Sequence, residues 1–263
     1  MAPSRSCSDR SSSNTSPAGR GLRAGLALYG GGAASLAAAG GGAAPAGAAF
    51  VNGGVGNVLE MDDIHRTSIL HPGPVVIPAA LAAGEALGAS PAAVLDAVVR
   101  GYEAVIRVGA SVGPGHYARW HNTSTCGPFG AAAAVAALRG ASEEAMVWAL
   151  GNAGAQAAGP WRCRHERVPT KQLHTARAAE AGLAAGWLAT EGFAGPEGML
   201  EGAQGFYAAT APDPRPEAIT EEPEGPWRLW DVSFKPWGAC RHAHPTIDAA
   251  LLLRAQGVPE GAR

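Results

Sequence analysis

The stretch Pro74–Gly88, with the sequence PVVIPAALAAGEALG, predicts a helix and points to the fold class of the chain around it. Its large apolar residues recur at roughly helical intervals: Val75, Ile77, Leu81 and Leu87. Gly88 then supplies a stop signal. Directly afterwards, Ser90 and Pro91 offer an N-cap and a first-turn proline for a second helix that reaches Val108.

The helical pattern continues toward the C-terminus. We predict a third helix over 129–138, a fourth that is capped by Ser142 and runs toward Ala158, and a long fifth over 171–190. The four-residue spacing of Gly182 and Gly186 removes side-chain bulk from one helix face and lets neighbouring helix axes approach closely. The sequence therefore predicts a mainly α fold, an all-helical bundle with tight crossings.

Composition divides the chain into four parts. Residues 1–47 are low-complexity Gly/Ala/Ser sequence and are predicted to form a poorly ordered leader. Residues 48–211 carry the helical pattern, and the acidic, proline-rich residues 212–226 are typical of a linker. Large apolar residues alternate over 227–234, which predicts a strand and the beginning of a mixed α+β region, 227–263, truncated by the end of the chain.

The overall composition excludes several function classes. The chain has 263 residues, 47% hydrophobic and 16% charged, with a net charge of −2, so it can bury a core but offers no general basic field for nucleic acid or anionic lipid. Glycine triplets at 30–32 and 40–42 interrupt the apolar N-terminal run, which argues against a signal peptide or a membrane span. The four cysteines are widely spaced, as expected of reduced thiols in a cytoplasmic protein.

The densest chemistry lies in residues 59–65, LEMDDIH, followed closely by His71. Carboxylates held beside an imidazole can act as general acid and base. They can also bind a metal, and a metal-dependent hydrolase using Asp62, Asp63, His65 and His71 is one alternative. A solvated loop with helix-capping aspartates is another.

Two further stretches are candidates for anion binding. The polar run 119–130, RWHNTSTCGPFG, leads into an alanine-rich helix, where His121 and Arg119 could complete an anion pocket at a helix N-terminus, or the run could simply cap that helix. Lys171 and His174 share one helix face by their three-residue spacing, a pattern that ordinary surface helices also show.

A fourth stretch, 235–245, has the sequence KPWGACRHAHP and concentrates basic groups and a thiol after the predicted strand. Its candidates are Lys235, Cys240, His242 and His244. The His-x-His pair can bind metal, but no third ligand stands at a defined spacing.

Many short stretches of this chain match, in sequence and in order, the motifs of one protein family. They are 48–53 (AAFVNG), 59–63, 71–73 (HPG), 101–103 (GYE), 120–121 (WH), 127–130 (GPFG), 171–174 (KQLH), 192–193 (GF), 200–202 (LEG) and 205–206 (GF). From about Ala48 to Asp248 the chain resembles the MmgE/PrpD family, which includes 2-methylcitrate dehydratase, cis-aconitate decarboxylase and an iminodisuccinate epimerase.

The resemblance implies an all-helical domain of the MmgE/PrpD type followed by a smaller α+β lid, a homodimer, an active site between the two domains, and no metal or organic cofactor. It places catalytic roles on Glu60, Asp63, His71, His121, Lys171 and His242. The resemblance also includes Lys235, Cys240 and His244, to which we assign substrate binding, together with Arg119 and His174 from the two anion-binding stretches.

The chain departs from the family pattern at a few positions. Glu60 and Met61 stand where the family commonly has Asp and Phe, and Cys240 stands where the decarboxylase carries a histidine. These departures argue against decarboxylation specifically, and the mechanism given below makes a hydro-lyase, similar to 2-methylcitrate dehydratase, the expected activity. The substrate expected from the resemblance is a small di- or tricarboxylic acid.

The predicted mechanism is proton transfer next to a carboxylate. Lys171 and His121 would neutralise substrate carboxylates while His71 or His121 moves the proton. Glu60 or Asp63 would orient that histidine or protonate a leaving hydroxyl. The alternatives left open are an epimerase or decarboxylase of the same family, a metal-dependent hydrolase, and an inactive helical domain whose lid is incomplete.

Overall fold

The computed structural model describes residues 16–37 and 40–257. The α-helices are α1 (Pro17–Ala24), α2 (Pro45–Gly56), α3 (Gly73–Leu87), α4 (Pro91–Ser111), α5 (Gly113–Tyr117), α6 (Asn122–Leu138), α7 (Glu143–Gly154), α8 (Thr170–Thr190), α9 (Phe206–Thr210) and α10 (His244–Ala255). Short 3₁₀ helices cover Gly25–Leu28, Trp161–His165, Pro216–Ile219, Arg228–Asp231 and Arg241–Ala243. Two antiparallel pairs of short strands join β1 (Ala34–Ser35) to β2 (Gly42–Ala43) and β3 (Ile64–His65) to β4 (Val232–Ser233).

The mainly α prediction is confirmed, and the local signals act as expected. The Ser90 hydroxyl accepts a hydrogen bond from the Ala93 N–H at the start of α4, and the Ser142 hydroxyl accepts one from the Ala145 N–H at the start of α7. Gly88 closes α3 with a φ of 62°, a left-handed conformation that glycine adopts without strain. Within the described residues, no helix combines the length and apolar character needed to cross a membrane.

The core is centred on α6 and α8, which pack closely against each other. A Cβ atom added at Gly182 would lie 2.4 Å from the Ala131 Cβ and 2.5 Å from the Pro128 carbonyl oxygen. A Cβ at Gly186 would lie 2.6 Å from the Ala132 carbonyl oxygen. The predicted close approach at these two glycines is confirmed, and it lets α6 contact α3, α4, α7 and α8 at once.

Helix α6 begins seven residues earlier than predicted, at Asn122 instead of Phe129. Its first turn is made of polar residues with modest helix propensity, but their side chains bond to distant parts of the chain. The Asn122 amide donates to the Ser68 carbonyl oxygen, and the Thr123 hydroxyl accepts from the His71 N–H. Tertiary hydrogen bonds therefore extend the helix into a stretch that looks like a loop.

The described part of the predicted leader, 16–37 and 40–47, differs from the expectation of poor order. It carries α1, the β1–β2 pair and the start of α2. Leu22 of α1 is buried, and its side chain occupies the space that a side chain at Gly54 would need. The small residues that make this region look featureless thus allow close packing. Residues 1–15 of the leader lie outside the described residues.

The predicted linker, 212–226, lies along α4. The guanidinium of Arg107 donates to the carbonyl oxygens of Ile219 and Glu221, at 3.0 and 2.7 Å. The strand predicted over 227–234 is wrong for its first half, which forms the 3₁₀ helix Arg228–Asp231, because β4 has only the two-residue β3 as its partner. The C-terminal segment, defined here as residues 232–257, ends in the largely exposed α10, and residues 258–263 of the predicted α+β region lie outside the described residues.

Candidate functional site

A cleft of about 490 Å³ opens where the acidic loop 59–65, the starts of α6 and α8, and the C-terminal segment meet. It is lined by Glu60, Ile64, Ile69, His71, Tyr117, His121, Trp161, Arg164, Lys171, Lys235, Cys240, Arg241 and His242. Eight of these side chains are carboxylate, imidazole, ammonium or guanidinium groups. The fold therefore brings charged and imidazole side chains from separate stretches of the sequence together in one cleft.

Lys235 reaches the cleft because β4 pairs with β3, which places the chain after Ser233 beside the acidic loop. Its ammonium group lies 2.8 Å from the Asp62 Oδ1 and 3.1 Å from the Glu60 carbonyl oxygen, and its side chain is almost fully buried. Asp62 is equally buried and also accepts from the Asn57 amide at 2.8 Å. This buried ion pair ties the C-terminal segment to the loop.

Glu60 stands in a left-handed backbone conformation, with a φ of 53°, which is uncommon for a residue other than glycine. Its Oε1 accepts a short hydrogen bond from Lys171, and its Oε2 lies 3.6 Å from the Lys235 ammonium. The Oε2 atom is buried and has no hydrogen-bond partner among the described residues. The loop thus holds one carboxylate between two lysines.

His71 is fixed in one tautomer by its surroundings. Its Nδ1 lies 2.6 Å from the Asp63 carbonyl oxygen, which can only accept, and 3.1 Å from the Asp62 Oδ2. Nδ1 therefore carries the proton, and Nε2, which has no hydrogen-bond partner among the described residues, is the nitrogen left for a ligand. Burial lowers the pKa of His71, while the Asp62 charge opposes that shift.

Asp63 lies behind the cleft and does not line it. Its Oδ2 accepts from the Tyr102 hydroxyl at 2.7 Å, and its Oδ1 accepts from the Gly73 N–H at 2.9 Å. Burial raises the pKa of Asp63 to about 6, against the two hydrogen bonds that favour the charged form. Its side chain anchors the start of α3, and through its carbonyl oxygen it orients His71.

His121 and His174 form a buried pair, with their Nδ1 atoms 3.2 Å apart. One of these nitrogens must donate and the other accept, so at most one ring carries a proton on its Nδ1. Burial lowers the pKa of His121 well below its usual range, and the charge of Lys171 acts in the same direction. Burial also lowers the pKa of His174, which lines a neighbouring cavity and bonds to His121 of the cleft.

Two cationic and two aromatic residues of the cleft were missed by sequence reasoning: Tyr117, Trp161, Arg164 and Arg241. The Arg164 guanidinium lies 5.3 Å from the Trp161 ring centre, and this ring lies 4.4 Å from the ring of His121. The run Trp161–His165, WRCRH, follows Gly159-Pro160 and alternates aromatic, cationic and thiol groups. That composition was a usable signal, but its short 3₁₀ geometry has no periodicity to mark it.

The C-terminal candidates separate into two sets. Cys240 and His242 line the cleft, and the Cys240 Sγ lies 3.4 Å from the His242 Nδ1. His244 turns away and bonds to the Ala239 carbonyl oxygen at 3.2 Å. Arg119 is exposed and lines a separate cavity of about 280 Å³. The fold therefore brings most of the predicted site residues together, and leaves Arg119 and His244 outside the cleft.

The four ligands of the hydrolase alternative do not converge. His65 bonds to the Ser68 hydroxyl at 2.8 Å, and both carboxylate oxygens of Asp63 are occupied as described above. Across residues 16–37 and 40–257, His, Cys, Asp and Glu form no group of three or more that could hold a metal ion. The geometry thus gives this alternative no support.

Electrostatically, the cleft suits an anion. Lys171, Lys235, Arg164 and Arg241 line it, and Glu60 is the one carboxylate among its lining residues. Lys171 is paired with Glu60 and Lys235 with the buried Asp62, so the excess positive charge comes from Arg164 and Arg241. Lys171 lies in the first turn of α8 and His121 directly precedes α6, so the positive ends of two long helices face the same space. The buried Nε of Arg241 and Nε1 of Trp161 have no hydrogen-bond partner within the described part of the chain. The guanidinium groups of Arg164 and Arg241 can bind carboxylate oxygens.

Comparison with known proteins places the chain in a family. Residues 11–219 match the model of the MmgE/PrpD N-terminal domain. The chain is 29% identical over 226 residues to the cis-aconitate decarboxylase-like protein oryM of Aspergillus oryzae, covering 80% of this chain and 47% of that protein. It is 32% identical over 238 residues to human cis-aconitate decarboxylase (83% and 46%) and 26% identical over 226 residues to cis-aconitate decarboxylase of Aspergillus terreus (81% and 46%). The chain spans about half the length of these relatives, but the family model matches most of it. The chain therefore belongs to the MmgE/PrpD family.

Proposed function

We propose that the cleft binds a small di- or tricarboxylic acid and that the chain acts on it as a lyase, by moving a proton at the carbon next to a carboxylate. The observation that carries this proposal is His71. Its Nδ1 is fixed inside the protein, its Nε2 has no partner among the described residues, and it lines a cleft with four cationic side chains. A neutral imidazole in that position is a suitable general base.

The cations supply the second part of the mechanism. Removing a proton next to a carboxylate places negative charge on that carboxylate, which becomes aci-carboxylate-like. Lys171 lies at the positive end of α8 and is positioned to stabilise this charge, together with the neutral His121. Arg164 and Arg241, which line the same cleft, can hold a second carboxylate and so orient the substrate.

Loss of water is the outcome that we infer from the residues, as in 2-methylcitrate dehydratase. A leaving hydroxyl needs an acid, and Glu60 is the carboxyl group that lines the cleft, whereas Asp63 is held behind it. Glu60 is therefore the residue that we assign to the hydroxyl. Because Lys171 and Lys235 hold it as a carboxylate, it must first take up a proton, which the Lys171 ammonium group that donates to it can pass on. Without a leaving group, return of a proton to the opposite face of the planar carbanion would epimerise the carbon.

Loss of carbon dioxide is a second candidate, because the relatives named above are called cis-aconitate decarboxylases. In that reaction His71 would act in its protonated form and deliver the Nε2 proton to the carbanion that remains, and the cations would hold the retained carboxylates. Both outcomes need the same anion pocket and the same histidine, as a base for dehydration and as an acid for decarboxylation. The homodimer and the cytoplasmic location expected from the sequence remain predictions.

Proton exchange in D₂O followed by NMR tests this function without a guess about the product. The chain is incubated with 2-methylcitrate, citrate or cis-aconitate in the presence of EDTA, and labelled carbon dioxide is collected in parallel. We expect deuterium to enter one acid, and the His71→Gln variant to lower the rate by roughly 10²–10⁴-fold, as loss of a general base does. Release of carbon dioxide would show that the reaction is a decarboxylation. Formation of an unsaturated acid without release of carbon dioxide would show that it is a dehydration.

His165→Ala is the matched control, because His165 is an exposed histidine that does not line the cleft. Its exchange rate should equal that of the unchanged chain. A folded protein that neither binds nor exchanges any acid of this panel would contradict the proposal. An unchanged rate of proton exchange in His71→Gln would show that a residue other than His71 is the general base.

A further inference from the structure

The cleft contains a pair of groups that the proposed reaction does not use. The Cys240 Sγ lies 3.4 Å from the His242 Nδ1, within hydrogen-bond distance for sulfur. Both residues line the cleft and both are exposed. The turn of the 3₁₀ helix Arg241–Ala243, which Cys240 directly precedes, brings the thiol and the imidazole to the same side. An imidazole beside a thiol can accept its proton and leave a nucleophilic thiolate.

The other described cysteines lack these conditions. Cys126 is fully buried in α6, and burial raises the pKa of its thiol to about 12. Cys163 is half-buried, and burial raises the pKa of its thiol as well. Among the described residues, Cys240 is therefore the cysteine that combines exposure with an imidazole partner.

The cleft adds a means of selecting the reagent. Arg241 lies between the two residues of the pair, and Arg164, Lys171 and Lys235 line the same space. The buried Nε of Arg241 has no hydrogen-bond partner among the described residues, and neither has the buried Nε1 of Trp161. An anion that pairs with the cationic side chains of the cleft is held in the space that the Cys240 side chain lines.

We propose that Cys240 and His242 form a nucleophilic thiol–imidazole pair that is alkylated by anionic electrophiles held in the cationic cleft, in particular α,β-unsaturated dicarboxylates. The selection of anions rests on the proposed function, in which this cleft binds carboxylic acids. The nucleophilic pair itself rests only on the geometry of Cys240 and His242. An unsaturated acid is also what a dehydration in this cleft would form, so the modification would be a covalent form of product inhibition.

The addition balances without a further reactant. The Cys240 proton passes to the His242 Nδ1, and the sulfur forms a bond to the β-carbon of the unsaturated acid. The π electron pair moves to the α-carbon, where the neighbouring carboxylate and Arg241 accommodate the charge. The imidazolium then returns its proton to the α-carbon. The net change is addition of S–H across the double bond, with no oxidation or reduction.

Two matched alkylating reagents test the pair and the anion selection separately. The chain is treated with limiting iodoacetamide, which is neutral, or iodoacetate, which is anionic, and peptide mapping by mass spectrometry gives the rate at each cysteine, with glutathione in the same tube as a reference thiol. In both reactions the sulfur forms a bond to the CH₂ group, iodide leaves and the thiol proton is lost. We expect His242→Ala to slow iodoacetamide labelling of Cys240 about tenfold, because the proton acceptor is lost. His165→Ala should leave it unchanged.

The ratio of iodoacetate to iodoacetamide rates should be about tenfold higher at Cys240 than for glutathione, and Arg164→Gln should reduce it, because fixed cations concentrate anions locally. Fumarate and maleate should then add one molecule at Cys240, seen as a single mass increase that is absent from Cys240→Ser. Absence of this adduct would overturn the inference for unsaturated acids.

The outcomes distinguish this inference from the proposed function. Iodoacetamide labelling at the rate of glutathione, unaffected by His242→Ala, would overturn the nucleophilic pair. Fast labelling without a preference for iodoacetate would overturn the anion selection and would count against the carboxylate site as well. Preference for iodoacetate in a chain that shows no proton exchange would support the inference while the proposed reaction fails.

Discussion

The helical body, residues 45–211, and the C-terminal segment, residues 232–257, form opposite sides of one cleft but are stabilised in different ways. The body packs around fully buried apolar residues such as Phe129 and Val135. Within the segment, by contrast, Lys235 is the one buried residue, and three consecutive leucines of α10, Leu251–Leu253, are at least 44% exposed. The body is held by packing, whereas the segment is held by a two-residue strand pair, a buried ion pair and the partly buried side chain of Val232.

This difference assigns different roles to the two sides. His71, His121 and Lys171 belong to the body and keep their positions as long as the helices pack. The C-terminal segment carries Lys235, Cys240 and His242, so local opening of this segment would remove all three from the cleft at once. The catalytic groups that we propose are thus rigid, and part of the anion pocket depends on a polar attachment.

Lys235→Met gives the largest expected effect, because it breaks that attachment. The substitution leaves the buried Asp62 carboxylate without its cation, and removing one partner of a buried pair is destabilising by about 3–5 kcal/mol. The penalty should appear as local opening: proteolysis within 232–257 should become at least about 100-fold faster, while the urea midpoint of the body changes little.

The double variant Asp62→Asn with Lys235→Met is the control, since it removes the unpaired charge. It should recover a large part of the protection against proteolysis. Equal proteolysis rates for the unchanged chain and Lys235→Met would show that the segment is held by something other than this pair, and the contrast between the two regions would disappear.

Asp63→Asn tests how the buried carboxyl group behind the cleft makes the stability of the body depend on pH. The folded state raises the pKa of Asp63 from 3.8 to about 6, so it favours the protonated carboxyl group. The contribution of Asp63 to stability is therefore complete below pH 4 and is lost as pH rises through 6. At about 1.36 kcal/mol for each pKa unit, the loss is on the order of 3 kcal/mol.

Urea unfolding at pH 4, 5, 6 and 7 measures this effect as a difference between two proteins. Asparagine cannot ionise, so the free energy of unfolding of the unchanged chain should fall relative to Asp63→Asn across this range. Contributions from the buried histidines are shared by both proteins and cancel. Two parallel pH curves would mean that Asp63 is not protonated preferentially in the folded state.

The sequence predicts the body better than the segment for a physical reason. Helices α3, α4, α7 and α8 are marked by local signals, such as the Ser90 and Ser142 caps and the stop at Gly88. The first turn of α6 depends on bonds to Ser68 and His71, more than 50 residues away in the chain, so local patterns could not reveal it. The alternation over 227–234 likewise indicates a strand without indicating how short its partner is.

The candidate site shows the same limit. Residue type singled out Glu60, His71, His121 and Lys171, and the fold brings them to one cleft because they stand in a loop or at helix starts that converge there. The sequence could not show that Asp63 faces the core, where it bonds to Tyr102 and Gly73. It also gave no reason to separate His242, which lines the cleft, from His244, which bonds to the backbone. Such distinctions depend on side-chain direction within a turn.

Gly182→Ala gives the smallest of these effects and tests the close packing of the body directly. The added methyl group would lie 2.4 Å from the Ala131 Cβ and 2.5 Å from the Pro128 carbonyl oxygen, so α6 and α8 must move apart. Overpacking of this kind is destabilising by about 1–3 kcal/mol, and here the urea midpoint of the body should fall while proteolysis within 232–257 stays unchanged.

Gly21→Ala is the matched control for the same change, because Gly21 lies in α1 and a Cβ there would meet no atom within 4 Å. With space available, alanine in a helix stabilises by about 0.4–1 kcal/mol, chiefly by restricting the unfolded chain. The two glycines should therefore shift stability in opposite directions. A gain in stability at both positions would show that α6 and α8 can separate freely, and the body would then be no more tightly packed than the segment that closes its cleft.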